Sequence, residues 1–282
     1  MTSPIAVART FLFVPATRPE RIHRAIASGA DAVIVDLEDA IAPQDKLAAR
    51  LQLAQSLAVL DASVRRRLLV RVNALGTPWH GEDIAVVRQL TAQVLGGVML
   101  PKAESAAAMA QISINLGPTC DLVALIESVA GLDAVNELAR VPGVSRLAFG
   151  HLDFQADAGM TCDSEESDLA PVRLAIVLAA RRAGMPAPID GVTVDTQDLV
   201  RLNVEALRAR RGGFTGKLCI HPAQVPVVNT AFMPTGAELD WARRVVNGFE
   251  SNSTGVFVVD GKMVDAPILL LARRTLELAS SH

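Results

Sequence analysis

Acids and bases follow short apolar runs at several points in this chain. Val33-Ile34-Val35 leads into Asp36-Leu37-Glu38-Asp39, and Leu69-Val70 into Arg71. Val98-Met99-Leu100-Pro101 leads into Lys102, and Leu125-Ile126 into Glu127. Leu147-Ala148-Phe149-Gly150-His151-Leu152 ends in Asp153. Carboxylates gathered in one place repel one another unless a cation or a base neutralises them. One or two carboxylates, with the other positions left to water and substrate oxygens, is the donor set of Mg²⁺. Zinc fits poorly, because the five histidines form no H-E-x-x-H or H-x-x-x-H motif and no cluster with cysteine. A rim salt bridge is the competing reading for any single charge; a run of consecutive strands ending in ionisable groups favours a shared site.

Those endings matter only if the apolar runs bring them together. Candidate strands are Thr10–Pro15, Ala32–Glu38, Leu68–Asn73, Gly97–Lys102, Leu122–Glu127, Arg146–Asp153, Ala187–Val192 and Lys217–His221. Between them, Lys46–Leu60, Asp83–Leu95, Ser105–Leu116 and Leu132–Ala139 carry apolar residues every three or four positions, which marks helices with one buried face. Strand and helix alternate eight times, so the expected fold is α/β, a (β/α)₈ TIM barrel; a doubly wound open sheet is the alternative. In a barrel every strand ends at one rim, so Asp36, Glu38, Asp39, Arg71, Lys102, Glu127 and Asp153 are expected around one cavity. Residues 1–230 form the expected barrel. Residues 231–282 form a C-terminal lid or extension that packs on the barrel or on a neighbouring subunit: helix Glu238–Phe249, hairpin Gly255–Lys262 and helix Ala266–Ala279.

Composition narrows the function classes. A length of 282 residues suits one barrel and a tail, and an aromatic share of 4 % leaves Ala, Val and Leu to fill the core. A net charge of −3 gives no reason to expect nucleic acid or an anionic membrane as partner. Arg65–Arg67 and Arg208–Arg211 read as solvated helix ends. Cys120, Cys162 and Cys219 are widely spaced, which suits free thiols in a reducing, cytoplasmic setting. No leader pattern and no apolar run of about 20 residues is evident. Gly212-Gly213-Phe214-Thr215-Gly216-Lys217 breaks the phosphate-loop template at both ends, and no G-x-S-x-G elbow occurs. His221, at the end of the eighth strand, has a catalytic reading and a structural, hydrogen-bonded one, and the structural reading is favoured.

At these residues the chain resembles the citrate lyase β-subunit-like branch of the HpcH/HpaI aldolase family, which includes malyl-CoA and citramalyl-CoA lyases. The resemblance runs through Arg9-Thr10-Phe11-Leu12-Phe13-Val14-Pro15, the Gly29–Ala40 block, Arg71-Val72-Asn73, Leu100-Pro101-Lys102, Ile126-Glu127-Ser128, Phe149-Gly150 with Asp153, and Gly216–Pro222. The Asp36–Asp39 block with Arg71-Val72-Asn73 is its most specific part. It implies Mg²⁺ as cofactor with Glu127 and Asp153 as ligands, Arg71 as substrate-facing cation, Glu38 and Asp39 as supporting acids, and Gly150 at the substrate. It also nominates Asp265, in Gly261–Pro267, as a lid acid given to its own or an adjacent subunit of a homo-oligomer (trimer or hexamer). Ala16 and His151-Leu152 depart from the family's usual residues.

The implied reaction is a reversible Claisen-type cleavage of a malyl-, citramalyl- or citryl-type CoA thioester into a 2-oxo acid and acetyl-CoA. The metal supplies Lewis acidity, Arg71 charge stabilisation and Asp265 a proton. Arg9, Arg18 and Lys217, flanking the first and eighth strands, are candidate anchors for the CoA phosphates. The rivals are a pyruvate aldolase acting on free aldehydes, an acyl-CoA thioesterase, and a non-catalytic subunit of a larger complex.

Overall fold

The computed structural model describes residues 3–92, 94–251 and 256–280. The chain divides into two compact units, Met1–Asn229 and Thr230–His282.

In the first unit, Thr10–Pro15 (β1), Ala32–Asp36 (β2), Leu68–Arg71 (β3), Gly97–Leu100 (β4), Asp121–Ile126 (β5), Val144–Phe149 (β6), Ile189–Asp190 (β7) and Gly216–Cys219 (β8) pair in parallel, each with the next. β1 also pairs with β8 through Phe11↔Leu218, which closes the barrel. Alternate residues point inwards, and Phe11, Ile34, Leu69, Met99, Val123 and Leu218 are among those filling the interior. The helices Lys46–Ala58, His80–Thr91, Ala106–Leu116, Ala170–Arg182 and Leu199–Gly212 lie in the connections between strands. The expected helix Leu132–Ala139 is instead two short ones, Val129–Asp133 and Val135–Leu138.

The end of the barrel remote from the strand termini is closed by Arg146, which is fully buried. Its guanidinium donates to the carbonyls of Ala8 at 2.6 Å, Ala187 at 2.9 Å and Pro188 at 3.2 Å, and covers the Phe11 ring at 5.4 Å. With no carboxylate beside it, burial alone draws its pKa down to about 9.

Six of the eight expected strands are shorter than their apolar patterns, and two of them matter most. β7 keeps only Ile189 and Asp190, because Pro186 and Pro188 lie before it and neither can donate to a ladder. β6 stops at Phe149, not Asp153; Gly150 leaves the extended region and a helix begins at His151. Asp153 therefore stands in the first turn of the helix His151–Ala158, and not on a strand.

The second unit contains the helix Gly236–Glu250, started by a reciprocal cap between Thr235 and Glu238. An antiparallel hairpin follows, Phe257–Val259 (β9) and Lys262–Val264 (β10). Its two-residue turn has φ of 52° at Asp260 and 75° at Gly261, the left-handed geometry of tight hairpins. Phe257 and its register partner Val264 pack with Ala242, Val245, Leu269 and Ala272, while Val258 and Met263 face outwards. The helix Ala266–Ser280 completes the unit. Among the described residues no helix is long and apolar enough to cross a membrane.

Candidate active site at the C-terminal rim of the barrel

The corner between β2 and β3 is held by ion pairs. Arg71 Nε and Nη2 each donate to one oxygen of the buried Asp36 carboxylate, both at 2.7 Å, and Nη1 donates to Asp39 at 3.1 Å. The Asp36 carboxylate also accepts the backbone N–H groups of Glu38 and Ala40, so it shapes the turn that follows its own strand. The Arg71 guanidinium lies 4.8 Å from the centre of the Phe13 ring. Underneath, the buried Lys46 ammonium donates to the carbonyls of Leu37 and Glu38 at 2.8 Å and to Asn73 Oδ1 at 2.6 Å, and thereby pins the Asp36–Asp39 block.

Glu38 Oε2 lies 3.0 Å from Arg71 Nη1 but is not aligned as a hydrogen-bond acceptor, and among the described residues it has no hydrogen-bond partner. Burial raises the Glu38 carboxyl to about 8 even though Arg71 pulls it down. Near neutral pH it is protonated, so Arg71 faces two carboxylates and one neutral acid.

Glu127 follows β5 and is 3 % exposed. Its Oε1 accepts the backbone N–H of Lys102 at 2.8 Å. Lys102 presents that N–H from a left-handed backbone, φ 45°, which costs a non-glycine residue energy and marks a constrained position. Gly150 makes room on the other side: a Cβ there would stand 2.6 Å from Glu127 Oε2 and 2.7 Å from Glu127 Cβ. Burial lifts the Glu127 pKa to about 7, the Lys102 amide opposes this, and the charge of Asp153 adds to it. Asp153 is solvent-exposed, and no group among the described residues donates a hydrogen bond to its carboxylate.

Asp36, Asp39, Arg71, Glu127, Gly150 and Asp153 line one cavity of about 760 Å³, whose apolar wall includes Leu12, Leu125, Phe149 and Leu218. Among the described residues no group of three or more His, Cys, Asp or Glu side chains is arranged to hold a metal ion. The pair Glu127 and Asp153, set beside open space, is what a cation that keeps most of its water requires. A buried carboxyl with a raised pKa, next to a second acid, gains from such a cation.

The structure thus brings together Arg71, Glu127, Gly150 and Asp153, and sets Glu38 against Arg71. The placements of Lys102, Arg9, Lys217 and Arg18 differ from expectation. The Lys102 side chain is exposed and outside the cavity lining, although its amide holds Glu127. Arg9 precedes the first residue of β1, roughly 20 Å from the rim at the rise of a parallel strand, and is paired with Asp31. Lys217 is 1 % exposed; its ammonium donates to the Gly191 carbonyl at 2.8 Å and lies between Asp190 and Glu205, so it cannot reach a phosphate. Arg18 is exposed beyond β1 but does not line the cavity. Asp265 belongs to the second unit, where its Oδ1 accepts the Ile268 N–H at 3.2 Å and caps the helix Ala266–Ser280. His221 lines the cavity, and its Nδ1 accepts the Ala223 N–H.

The sequence reading missed Arg21 and Arg24. Both line the cavity from one face of the helix Arg21–Ala27, and the available signal was two arginines three positions apart directly after the first strand.

Residues 9–222 match the family described as HpcH/HpaI aldolase/citrate lyase, and residues 171–282 match one described as a C–C bond lyase of the TIM-barrel fold. A citrate lyase subunit beta-like protein of Mycobacterium tuberculosis is 39 % identical over 274 residues, covering 95 % of this chain and 94 % of that protein. A (3S)-malyl-CoA thioesterase of Cereibacter sphaeroides is 34 % identical over 283 residues, covering 97 % and 95 %. Among solved structures, CitE from Mycobacterium tuberculosis in complex with magnesium, acetoacetate and coenzyme A is 36 % identical and matches 98 % of this chain and 99 % of its own, with a TM-score of 0.83. RipC from Yersinia pestis is 35 % identical over 82 % of this chain and 98 % of its own, with a TM-score of 0.70. An eight-stranded parallel barrel, acids and an arginine at its C-terminal rim, and matches along nearly the whole length lead to one assignment: the chain belongs to the HpcH/HpaI aldolase/citrate lyase family.

Proposed function

We propose that this protein is a Mg²⁺-dependent carbon–carbon lyase that splits the CoA thioester of a 2-hydroxy acid, of citramalyl, malyl or citryl type with the hydroxyl β to the thioester, into a 2-oxo acid and acetyl-CoA. The observation that carries the reading is the buried Glu127 carboxyl, raised to about 7, beside Asp153 in a cavity that also holds Arg71. Glu127 and Asp153 would hold the ion, which when bound supplies Lewis acidity to substrate oxygens. The CitE complexes that contain magnesium with pyruvate, and with acetoacetate and coenzyme A, support the cofactor and the substrate class.

The chain's own groups carry the rest of the chemistry. Arg71 has five N–H donors, and three hydrogen bonds to Asp36 and Asp39 leave two for a substrate carboxylate. Those bonds also fix the guanidinium before substrate arrives, so it stabilises developing charge without reorganising. A protonated Glu38 keeps Arg71 from being fully neutralised. Arg21 and Arg24 offer positive charge to the phosphates of CoA. Cleavage breaks the C2–C3 bond as the hydroxyl gives up its proton to cavity water, converts the hydroxyl carbon to a carbonyl, and leaves the electron pair on the thioester's α-carbon as an enolate. A proton delivered to that carbon gives acetyl-CoA, and Asp265 is the proposed donor.

Incubation with malyl-, citramalyl- and citryl-CoA plus Mg²⁺, with mass-spectrometric identification of products, tests this. A 2-oxo acid with acetyl-CoA is expected. The likeness to malyl-CoA thioesterases favours a second reading, hydrolysis at the thioester. Free CoA with an intact hydroxy diacid would establish that reading and overturn the first.

A further inference from the structure

A group of buried charges lies against the outer face of β7 and β8 and reaches the cavity wall at His151. Ile189 and Leu218 point into the barrel, so their strand neighbours Asp190 and Lys217 point out. Asp190 Oδ1 is 3.0 Å from Arg173 Nε, and Arg173 Nη2 is 2.5 Å from Glu166 Oε2. Glu166 Oε1 is in turn 3.2 Å from His151 Nε2. The chain of contacts thus ends on the first residue of the helix that presents Asp153.

Three observations give that last contact a purpose. The helix His151–Ala158 has no side-chain cap at its start, and no group among the described residues donates a hydrogen bond to the Asp153 carboxylate. The Asp153 side chain thus follows the backbone of this first turn, with no hydrogen bond from another described element to redirect it. Next, the His151 ring is gripped at both edges: Glu166 holds Nε2, while a Cβ on Gly191 would stand 2.2 Å from Nδ1. Finally, Glu166 reaches the ring from a left-handed backbone, φ 50°, that the Asp163 turn supports through the Glu166 N–H at 3.1 Å. Burial works against ionisation of Glu166, but His151 and Arg173 outweigh it and hold the carboxyl well below the usual range.

We infer that Glu166 is a positioning residue for Asp153: through the imidazole of His151 it fixes the helical turn that sets Asp153 beside Glu127. This rests on the reading of Glu127 and Asp153 as a metal pair. Removing an outer group that orients a ligand typically costs about 10- to 100-fold in metal affinity.

Calorimetric titration of Mg²⁺ into the metal-free full chain, with melting temperatures recorded alongside, tests the inference. Glu166→Ala is expected to weaken binding 10- to 100-fold, and Glu166→Gln, which keeps an oxygen for Nε2, to recover most of the loss. Should Glu166→Ala not fold, Gly191→Ala displaces the ring from its other edge with Glu166 intact and is expected to weaken binding likewise. Glu205→Gln disturbs the same buried charges without touching His151, and is expected to lower the melting temperature while leaving the affinity within about twofold. Wild-type affinity in Glu166→Ala or Gly191→Ala, or an equal loss in Glu205→Gln, overturns the inference. A wild-type protein that binds no Mg²⁺, or one whose affinity survives Asp153→Ala, refutes the metal pair itself and the positioning role with it.

Discussion

Asp36 and Arg71 are register partners at the ends of β2 and β3, and the arginine grips the aspartate side-on through two hydrogen bonds of 2.7 Å. The same two residues thus join adjacent strands and aim a guanidinium into the cavity. Lysine keeps the charge but cannot make the planar two-point contact. Arg71→Lys is expected to lower kcat/KM by about 100-fold or more, the scale of losing one preorganised donor. Arg71→Ala leaves the buried Asp36 uncompensated and is expected to cost about 3–5 kcal/mol in urea unfolding as well. A Lys variant with wild-type kinetics would remove Arg71 from the chemistry.

The Asp36–Asp39 block, Arg71 and Glu127 were legible because a parallel strand buried on both faces is a continuous apolar run. The first charges after such a run mark the rim. Asp153 was legible as a rim residue, but its helix was not. Gly150 turns the chain there because Glu127 occupies the space of a Cβ, and only the fold brings those residues together. Lys217 misled for a related reason. It stands in a strand between glycine and leucine, and nothing nearby in sequence announces Asp190 or Glu205 as its partners. Arg9 misled because flanking a strand does not say which end of it.

Glu38 gives a pH signature. In the unfolded chain its carboxyl titrates near 4.5; in the folded protein, burial carries it to about 8 against the pull of Arg71. Between those values the folded state binds more protons. The stabilisation from this group is therefore complete below about 4.5 and lost as pH rises through about 8. Glutamine mimics the neutral acid at every pH. In metal-free buffer Glu38→Gln should melt close to wild type at a pH of about 4.5 and gain on it progressively as the pH rises towards about 8. A difference that stays constant or shrinks with rising pH would contradict the raised pKa.

Asp265 has two possible contributions, and one substitution separates them. Its Oδ1 caps the helix Ala266–Ser280, and asparagine caps about as well as aspartate. Asp265→Asn should therefore retain the helix and the affinity for CoA thioester but slow the chemical step by about 10²- to 10⁴-fold, the usual value of a positioned acid. Asp265→Ala loses both, with roughly 1 kcal/mol from the cap. An unaltered single-turnover rate in Asp265→Asn would take it out of the mechanism.

Lys217 and the pair Arg21 and Arg24 differ in what their charge is for. The Lys217 ammonium is buried with Asp190 and satisfies the Gly191 carbonyl, so removing it strands a carboxylate and a carbonyl away from water. Lys217→Met is expected to cost about 3 kcal/mol or more in stability while KM for the thioester stays the same. Arg21 and Arg24 are exposed at the cavity, where a charge loses little on folding and gains only when an anion arrives. Arg21→Gln with Arg24→Gln should leave the melting temperature unchanged and raise KM at constant kcat, since binding to a remote phosphate is equal in ground and transition states. The increase should fade in high salt, which screens exposed charges but not buried ones. Steady-state kinetics at low and high ionic strength measure all of this. A rise in KM for Lys217→Met, or none for the arginine pair, would reverse the assignment.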